Sequence, residues 1–156
     1  MVHYPRNTSD LKSDGKFIMN IYKDSEGDIW IGGIQDVICY LTKEKRFHTY
    51  GAQPMRTFME FSPGKMLLAC TYSVLLLDKE TGQISFLPEC LAQDILVMED
   101  DIWVATSGDG LLHYNYTNRE THKITVESGL PSNYVNSVMY DNGYLWLGTE
   151  NRIVSL

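Results

Sequence analysis

Ile29-Trp30-Ile31-Gly32 returns three times along the chain, as Met66-Leu67-Leu68-Ala69, Ile102-Trp103-Val104-Ala105 and Leu145-Trp146-Leu147-Gly148. The centres, Trp30, Leu67, Trp103 and Trp146, lie 37, 36 and 43 residues apart. A period of that length built from several short strands predicts β-propeller blades rather than a helical solenoid. In such a scaffold function sits in loops on one face, so the repeat says much about the fold and little about a ligand.

Working outward from the first copy, Phe17 to Tyr22 reads as an inner strand, and Asp24-Ser25-Glu26-Gly27 as a turn that opens on an Asx residue and closes on a glycine able to take positive φ. Asp28 to Gly32 forms the second strand, Val37 to Leu41 the third, and Arg46 to Tyr50 the fourth, with Phe47 pointing opposite to its polar neighbours. The later units obey the same grammar. The expected blades are 17–50, 57–87, 93–126 and 134–156, and no segment carries a sustained helical period. The fold class is therefore all-β: a propeller of about four four-stranded antiparallel blades, as a partial propeller or a small closed ring.

Composition agrees. In 156 residues, 44% are hydrophobic and 12% aromatic, enough for one ordinary domain with aromatics on half-buried pleated faces. A net charge of −7 without a Lys/Arg cluster argues against nucleic acid as a partner. No apolar run is long enough to span a membrane, and Met1 to Pro5 has neither a basic nor an apolar signal region. Cys39 and Cys70 lie in expected strands, where cysteine is usually a small buried hydrophobe, and Cys90 completes an odd set without a CxxC motif.

The fourth unit stops after its third strand, and Val2-His3-Tyr4 resembles the fourth-strand stretch Phe47-His48-Thr49-Tyr50. The N-terminal segment is thus expected to act as a clasp, giving the last blade its outer strand. Three arrangements follow: a closed four-bladed ring, an eight-bladed ring from two chains, or an open arc of a larger propeller. Exposed inter-blade faces drive association, which favours a fragment that closes or dimerises to cover itself.

Residues Tyr22 to Gly33 and Gly129 to Thr149 resemble the two-component regulator propeller repeat: a Gly-Leu-Pro-Ser-Asn loop, an inner strand, an Asp-x-x-Gly-type turn, then Leu-Trp-Ile-Gly-Thr. The second unit departs from this pattern, with Leu67 for Trp and Ala69-Cys70 for Gly-Thr, and the third has Ala105-Thr106. The resemblance implies the periplasmic sensor region of a membrane-anchored hybrid histidine kinase of the Bacteroidetes type, which senses glycan breakdown products. The kinase, receiver and DNA-binding regions implied for the whole protein have no counterpart in these residues.

Candidate sites each have a plainer reading. Trp30, Trp103 and Trp146 share one blade position and are expected to pack between blades. Asp24-x-Glu26-x-Asp28 hints at a calcium loop, but Asp24 corresponds to the turn residue Asp141 and no Glu follows at the required spacing. Ser107-Gly108-Asp109-Gly110 precedes a strand rather than a helix and reads as a flexible link, not a phosphate cradle. His3, His48, His113 and His122 have no metal spacing, so no metal and no cofactor is expected. The better binding surface is the segments joining blades, 51–57, 88–93 and 129–136. There Arg56, Gln93, Asn133, Tyr134 and Asn136 are suited to sugar hydroxyls or an acidic sugar, with Tyr72 on a shorter loop. Asn133 and Asn136 could instead satisfy backbone groups of their own loop.

The expected function is a non-catalytic, ligand-binding sensor propeller with an oligosaccharide ligand and with further blades or a second copy as protein partner. This segment itself should contact no membrane. The alternatives are a protein-interaction scaffold, or a glycan-active enzyme. The latter requires two converging carboxylates, and Asp36, Asp78, Asp94 and Asp109 occupy unrelated blade positions.

Overall fold

The structure is a computed structural model that describes residues 18–33, 36–51 and 54–156. Among the described residues fifteen strands form four antiparallel sheets. Blade A holds β1 (Ile18–Lys23), β2 (Ile29–Gly33), β3 (Asp36–Leu41) and β4 (Arg46–Gly51). Blade B holds β5 (Met55–Ser62), β6 (Lys65–Cys70), β7 (Ser73–Asp78) and β8 (Ile84–Glu89). Blade C holds β9 (Ala92–Met98), β10 (Asp101–Thr106), β11 (Leu111–Asn115) and β12 (Thr121–Ile124). Blade D has three strands, β13 (Val135–Asp141), β14 (Tyr144–Thr149) and β15 (Ile153–Ser155). One 3₁₀ turn, Val126–Ser128, precedes the last blade. The N-terminal clasp expected at residues 2–4 lies outside the described residues, as does Phe17.

Each sheet is a meander, and the inner strands β1, β5, β9 and β13 pack side by side in chain order. Blades therefore stack as A, B, C, D, each inter-blade gap holding its own apolar core. The A–B core contains Trp30, Val37, Cys39 and Tyr50 against Met55, Phe58, Met66 and Leu68. The B–C core sets Leu67, Ala69, Val74 and Leu76 against Ile95, Ile102, Val104 and Leu112. The C–D core sets Ala105 and Leu111 against Val135, Val138 and Leu147, with Trp103 and Leu145 at its edge. Alternation on a strand explains the arrangement: even-numbered residues of β2 face blade B and odd-numbered ones face away.

The small residue that ends each recurring stretch has a packing reason. A Cβ on Gly32 would run into the Phe58 ring of the next blade, and Ala69 and Ala105 are fully buried at the equivalent place. The turns between inner and second strands use Gly27, Gly64 and Gly143 at positive φ, as the sequence grammar requires. Cys39, Cys70 and Cys90 are buried thiols, and burial raises Cys39 to about 12 and Cys90 to about 11.

The A–B interface also carries an ionic clasp. Lys79, in the β7–β8 turn, reaches across to Asp24, Glu26 and Asp28 at 2.9, 2.6 and 2.6 Å. Asp24 is buried and also accepts from Trp30 Nε1 and the Asp28 amide, both at 2.8 Å. Burial alone would raise its carboxyl, but the bonds from Lys79, Trp30 and Asp28 outweigh this and hold it below its ordinary value. The turn reading of Asp24 holds, and the three carboxylates do converge, on an ammonium group. Glu26 is half exposed, so Asp24 and Asp28 dominate.

Lys79→Met leaves two buried carboxylates without their cation, and urea denaturation at neutral pH should show a loss of roughly 3 kcal/mol. The gap to wild type should narrow below about pH 4, because protonation removes the ion pair from the wild type and relieves the variant.

Candidate functional site

All four inner strands slip register at the same point. The extra, unpaired residue is Met19 in β1, Arg56 in β5, Gln93 in β9 and Asn136 in β13. A β-bulge bends its strand and re-aims the bulged side chain, so the repeat places one redirected side chain per blade at one level of the inner wall. Three of the four are polar: Arg56 and Asn136 are exposed and Gln93 is half-buried. Arg56 and Gln93, expected in connecting segments, thus lie within strands.

A second polar tier follows one residue on. Asn20, Thr57, Asp94 and Ser137 pair with Gly32, Ala69, Ala105 and Gly148, the small ends of the recurring stretch. Asn20 Nδ2 donates to Thr57 Oγ1 at 2.9 Å across the A–B gap. Asp94 bridges the C–D gap, accepting the Val138 amide at 3.0 Å and the Ile95 amide at 3.0 Å. Burial raises the Asp94 carboxyl above its ordinary value, and the two amides only partly oppose that rise.

The remaining candidates sit at the same end of the blades. The segment before β13 folds back on blade C through a Ser107–Tyr134 bridge, and the Asn133 carbonyl accepts from the Gly108 and Gly110 amides. Asn133 Oδ1 accepts the Val126 amide at 2.9 Å, so its side chain serves its own loop. Tyr134 is half exposed, and its amide donates to Ser132 Oγ. The Ser107–Gly110 link is pinned rather than loose: Thr106 Oγ1 donates to the Gly110 carbonyl at 2.6 Å, and Lys123 holds Asp109 at 2.9 Å.

Sequence reasoning missed a cleft of about 570 Å³ beside this link, lined by Tyr72, Ser73, Phe86, Glu89, Cys90 and Asp109 among others. Tyr72, in the β6–β7 turn, and Phe86, on the outer strand β8, are about 70% exposed. Ser73 Oγ is buried without a partner among the described residues. The signal available was Tyr72 in a polar Thr-Tyr-Ser loop, but nothing local tied it to Phe86 or Asp109.

Among the described residues, His48, His113 and His122 do not come together in a cluster of metal-ligating side chains. His113 stacks on Trp103 at 4.2 Å and bonds Asp101 at 2.8 Å, and His122 lies beyond it at 6.1 Å. Among the described residues the one group of three or more His, Cys, Asp or Glu side chains close enough to share a cation is Asp24, Glu26 and Asp28, already engaged by Lys79.

Three four-stranded meanders and one of three strands, stacked through successive apolar interfaces with inner strands adjacent, define an open run of propeller blades. Residues 12–35 and 129–151 match the family described as Two component regulator propeller. Among solved structures it is similar to the extracellular domain of BT4673, assigned to the hybrid two component systems of B. thetaiotaomicron, at 16% identity and a TM-score of 0.80 over 93% of this chain and 21% of that one. The corresponding domain of BT3049 from the same organism gives 21% identity and a TM-score of 0.70 over 87% of this chain and 21% of that one. The chain thus spans about a fifth of either domain. The computationally designed Ika4 protein matches at 10% identity and a TM-score of 0.74 over 93% of both chains. These likenesses establish the fold. No curated protein matches the sequence. No helix among the described residues is long and apolar enough to cross a membrane.

Asp94 yields a signed pH test. Its folded form holds the proton more tightly than the unfolded chain, so the wild type should lose stability relative to Asp94→Asn as pH rises from about 4 through the folded pKa. Urea denaturation of both proteins across that range checks this, and parallel curves would show that the buried carboxylate carries no penalty.

Proposed function

We propose that this chain is the non-catalytic, ligand-binding part of a periplasmic sensor propeller in a two-component signalling system, and that its ligand is an oligosaccharide from glycan breakdown. The observation that carries the reading is the band of bulge residues. Arg56, Gln93 and Asn136 offer a guanidinium and two amides from three adjacent inner strands, a donor and acceptor set suited to hydroxyls and to an acidic sugar. The side chains stand on sheets rather than on free loops, which fixes their spacing. Exposed rings of Tyr134 and Tyr72 at the same end supply flat apolar surface for sugar faces.

Two findings support the signalling context: the matched repeat type, and the likeness to extracellular domains assigned to hybrid two component systems. Hydrolysis of a glycosidic bond needs an acid and a base or nucleophile across the scissile bond. Asp94 on the inner wall has its carboxylate tied to two backbone amides, and Asp109 is tied to Lys123. Signalling would proceed by population shift, with ligand favouring one arrangement of the blades it bridges.

The test is calorimetric titration of wild type and an Arg56→Ala/Gln93→Ala/Asn136→Ala variant with a panel of neutral and acidic oligosaccharides. At least one class should bind the wild type and lose tenfold or more in affinity in the variant, with thermal stability close to wild type. Equal binding by both proteins would remove the bulge band from the site, and a panel without a binder would remove the glycan reading.

A further inference from the structure

The three gaps between blades are not held alike. Lys79 and the Asn20–Thr57 bond cross A–B, where Ser25 Oγ also donates to Glu60 at 2.7 Å. The Val138 amide donates to Asp94 across C–D, and the Ser107–Tyr134 bridge closes the same gap. The B–C gap is held by its apolar core and by Phe61 against Tyr116, their ring centres 4.8 Å apart. Among the described residues no hydrogen bond or ion pair crosses it as those cross the other two.

The cleft of about 570 Å³ opens at this gap, within the size range of small-molecule sites. Tyr72, Phe86 and Glu89 reach it from blade B and Asp109 from blade C, with Cys90 and Leu91 in the connection between them. Blades B and C each have a neighbour on their far side within this chain, and the walls come from residues 72–109. The charge there is one-sided. Lys123 sits on Asp109 at 2.9 Å, and the Glu89 carboxylate has no ion-pair partner among the described residues. Two carboxylates and one ammonium leave a single negative charge beside two aromatic rings. Ser73, 5% exposed, also lines the cleft, and its hydroxyl is the buried polar group left without a partner.

We propose that this cleft binds a small organic amine carrying one positive charge on an apolar body. An ammonium is attracted by aromatic rings as well as by carboxylates, and Tyr72 and Phe86 supply the first while Glu89 supplies the second. Leu87 and Leu91 suit an apolar body. The Ser73 hydroxyl leaves a donor and an acceptor for a polar group on the ligand. An anion meets the opposite field, because the Lys123 ammonium is already engaged by Asp109. The site is separate from the bulge band: Arg56, Gln93 and Asn136 do not line it, and Tyr72 is the residue common to both readings. A bound amine puts a cation at the junction of blades B and C, where the protein supplies no polar tie of its own.

An amide NMR titration of the full chain at neutral pH, with phenethylamine and with its uncharged counterpart phenylethanol, tests this. Phenethylamine should shift amides around Tyr72, Glu89 and Asp109, and phenylethanol should bind about fivefold more weakly or less. Glu89→Gln and Tyr72→Ala, both at exposed positions, should each weaken the amine by about fivefold with thermal stability close to wild type. Lys123→Met removes the competing ammonium from a half-exposed position and should tighten the amine by about threefold. The Arg56→Ala/Gln93→Ala/Asn136→Ala variant should bind the amine as the wild type does, whatever it does to oligosaccharides, so the two sites fail separately. Equal affinity for amine and alcohol, no shifts at millimolar amine, Glu89→Gln binding like wild type, or loss of the amine in the triple variant would each overturn the proposal.

Discussion

A blade's sheet has two faces, and in each of the A–B, B–C and C–D gaps an apolar face of one blade is buried against an apolar face of the next. Packing of one blade's face against the next is therefore the constraint from which the rest follows. It explains why the cores come one per gap rather than one per domain, and why blade order in space follows blade order in sequence. It also explains the burial of Trp30. An indole of that size is fully removed from water only because Phe58, Met66 and Leu68 close over it, while Tyr50 stacks on its ring at 5.4 Å. Burial of an aromatic side chain contributes on the order of 2–3 kcal/mol.

The same packing creates the candidate site. Blades approach closely where the second strand ends in glycine or alanine, and across the sheet from that small residue every inner strand carries a polar one: Asn20, Thr57, Asp94 or Ser137. The residue just before it is the bulge. Close approach and strand distortion thus occur together, and the side chain that the bulge redirects is left free of the ladder. The polar band comes from the scaffold's own geometry, which repeats blade by blade while residue type varies from Met19 to Arg56, Gln93 and Asn136.

How much of this the sequence disclosed depends on the range over which each signal acts. The blades were legible because strand alternation, Asx-Gly turns and the recurring apolar stretch are local and repeated. The role of Asp24 as a turn residue was equally local. The bulges were not legible, since a one-residue slip alters no residue type and shows only in the pairing. Lys79 was hidden for another reason: it lies 55 positions from Asp24, in a turn whose own sequence reads as ordinary polar surface. Trp103 and Trp146 were expected between blades like Trp30. Trp103 does pack at the edge of the C–D core, with His113 stacked on its ring, whereas Trp146 is 40% exposed. Among the connecting residues, Asn133 divides from Arg56 and Gln93 on structure alone, its carbonyl and side chain being taken up by the loop.

The position of the bulge band decides what a ligand held there would span. Arg56, Gln93 and Asn136 lie on consecutive inner strands, so a ligand spanning any two of them also spans an inter-blade gap, and its binding energy depends on the relative placement of the two sheets. Within the arc those gaps are filled by apolar cores, and at A–B by the Lys79 clasp, which resist change.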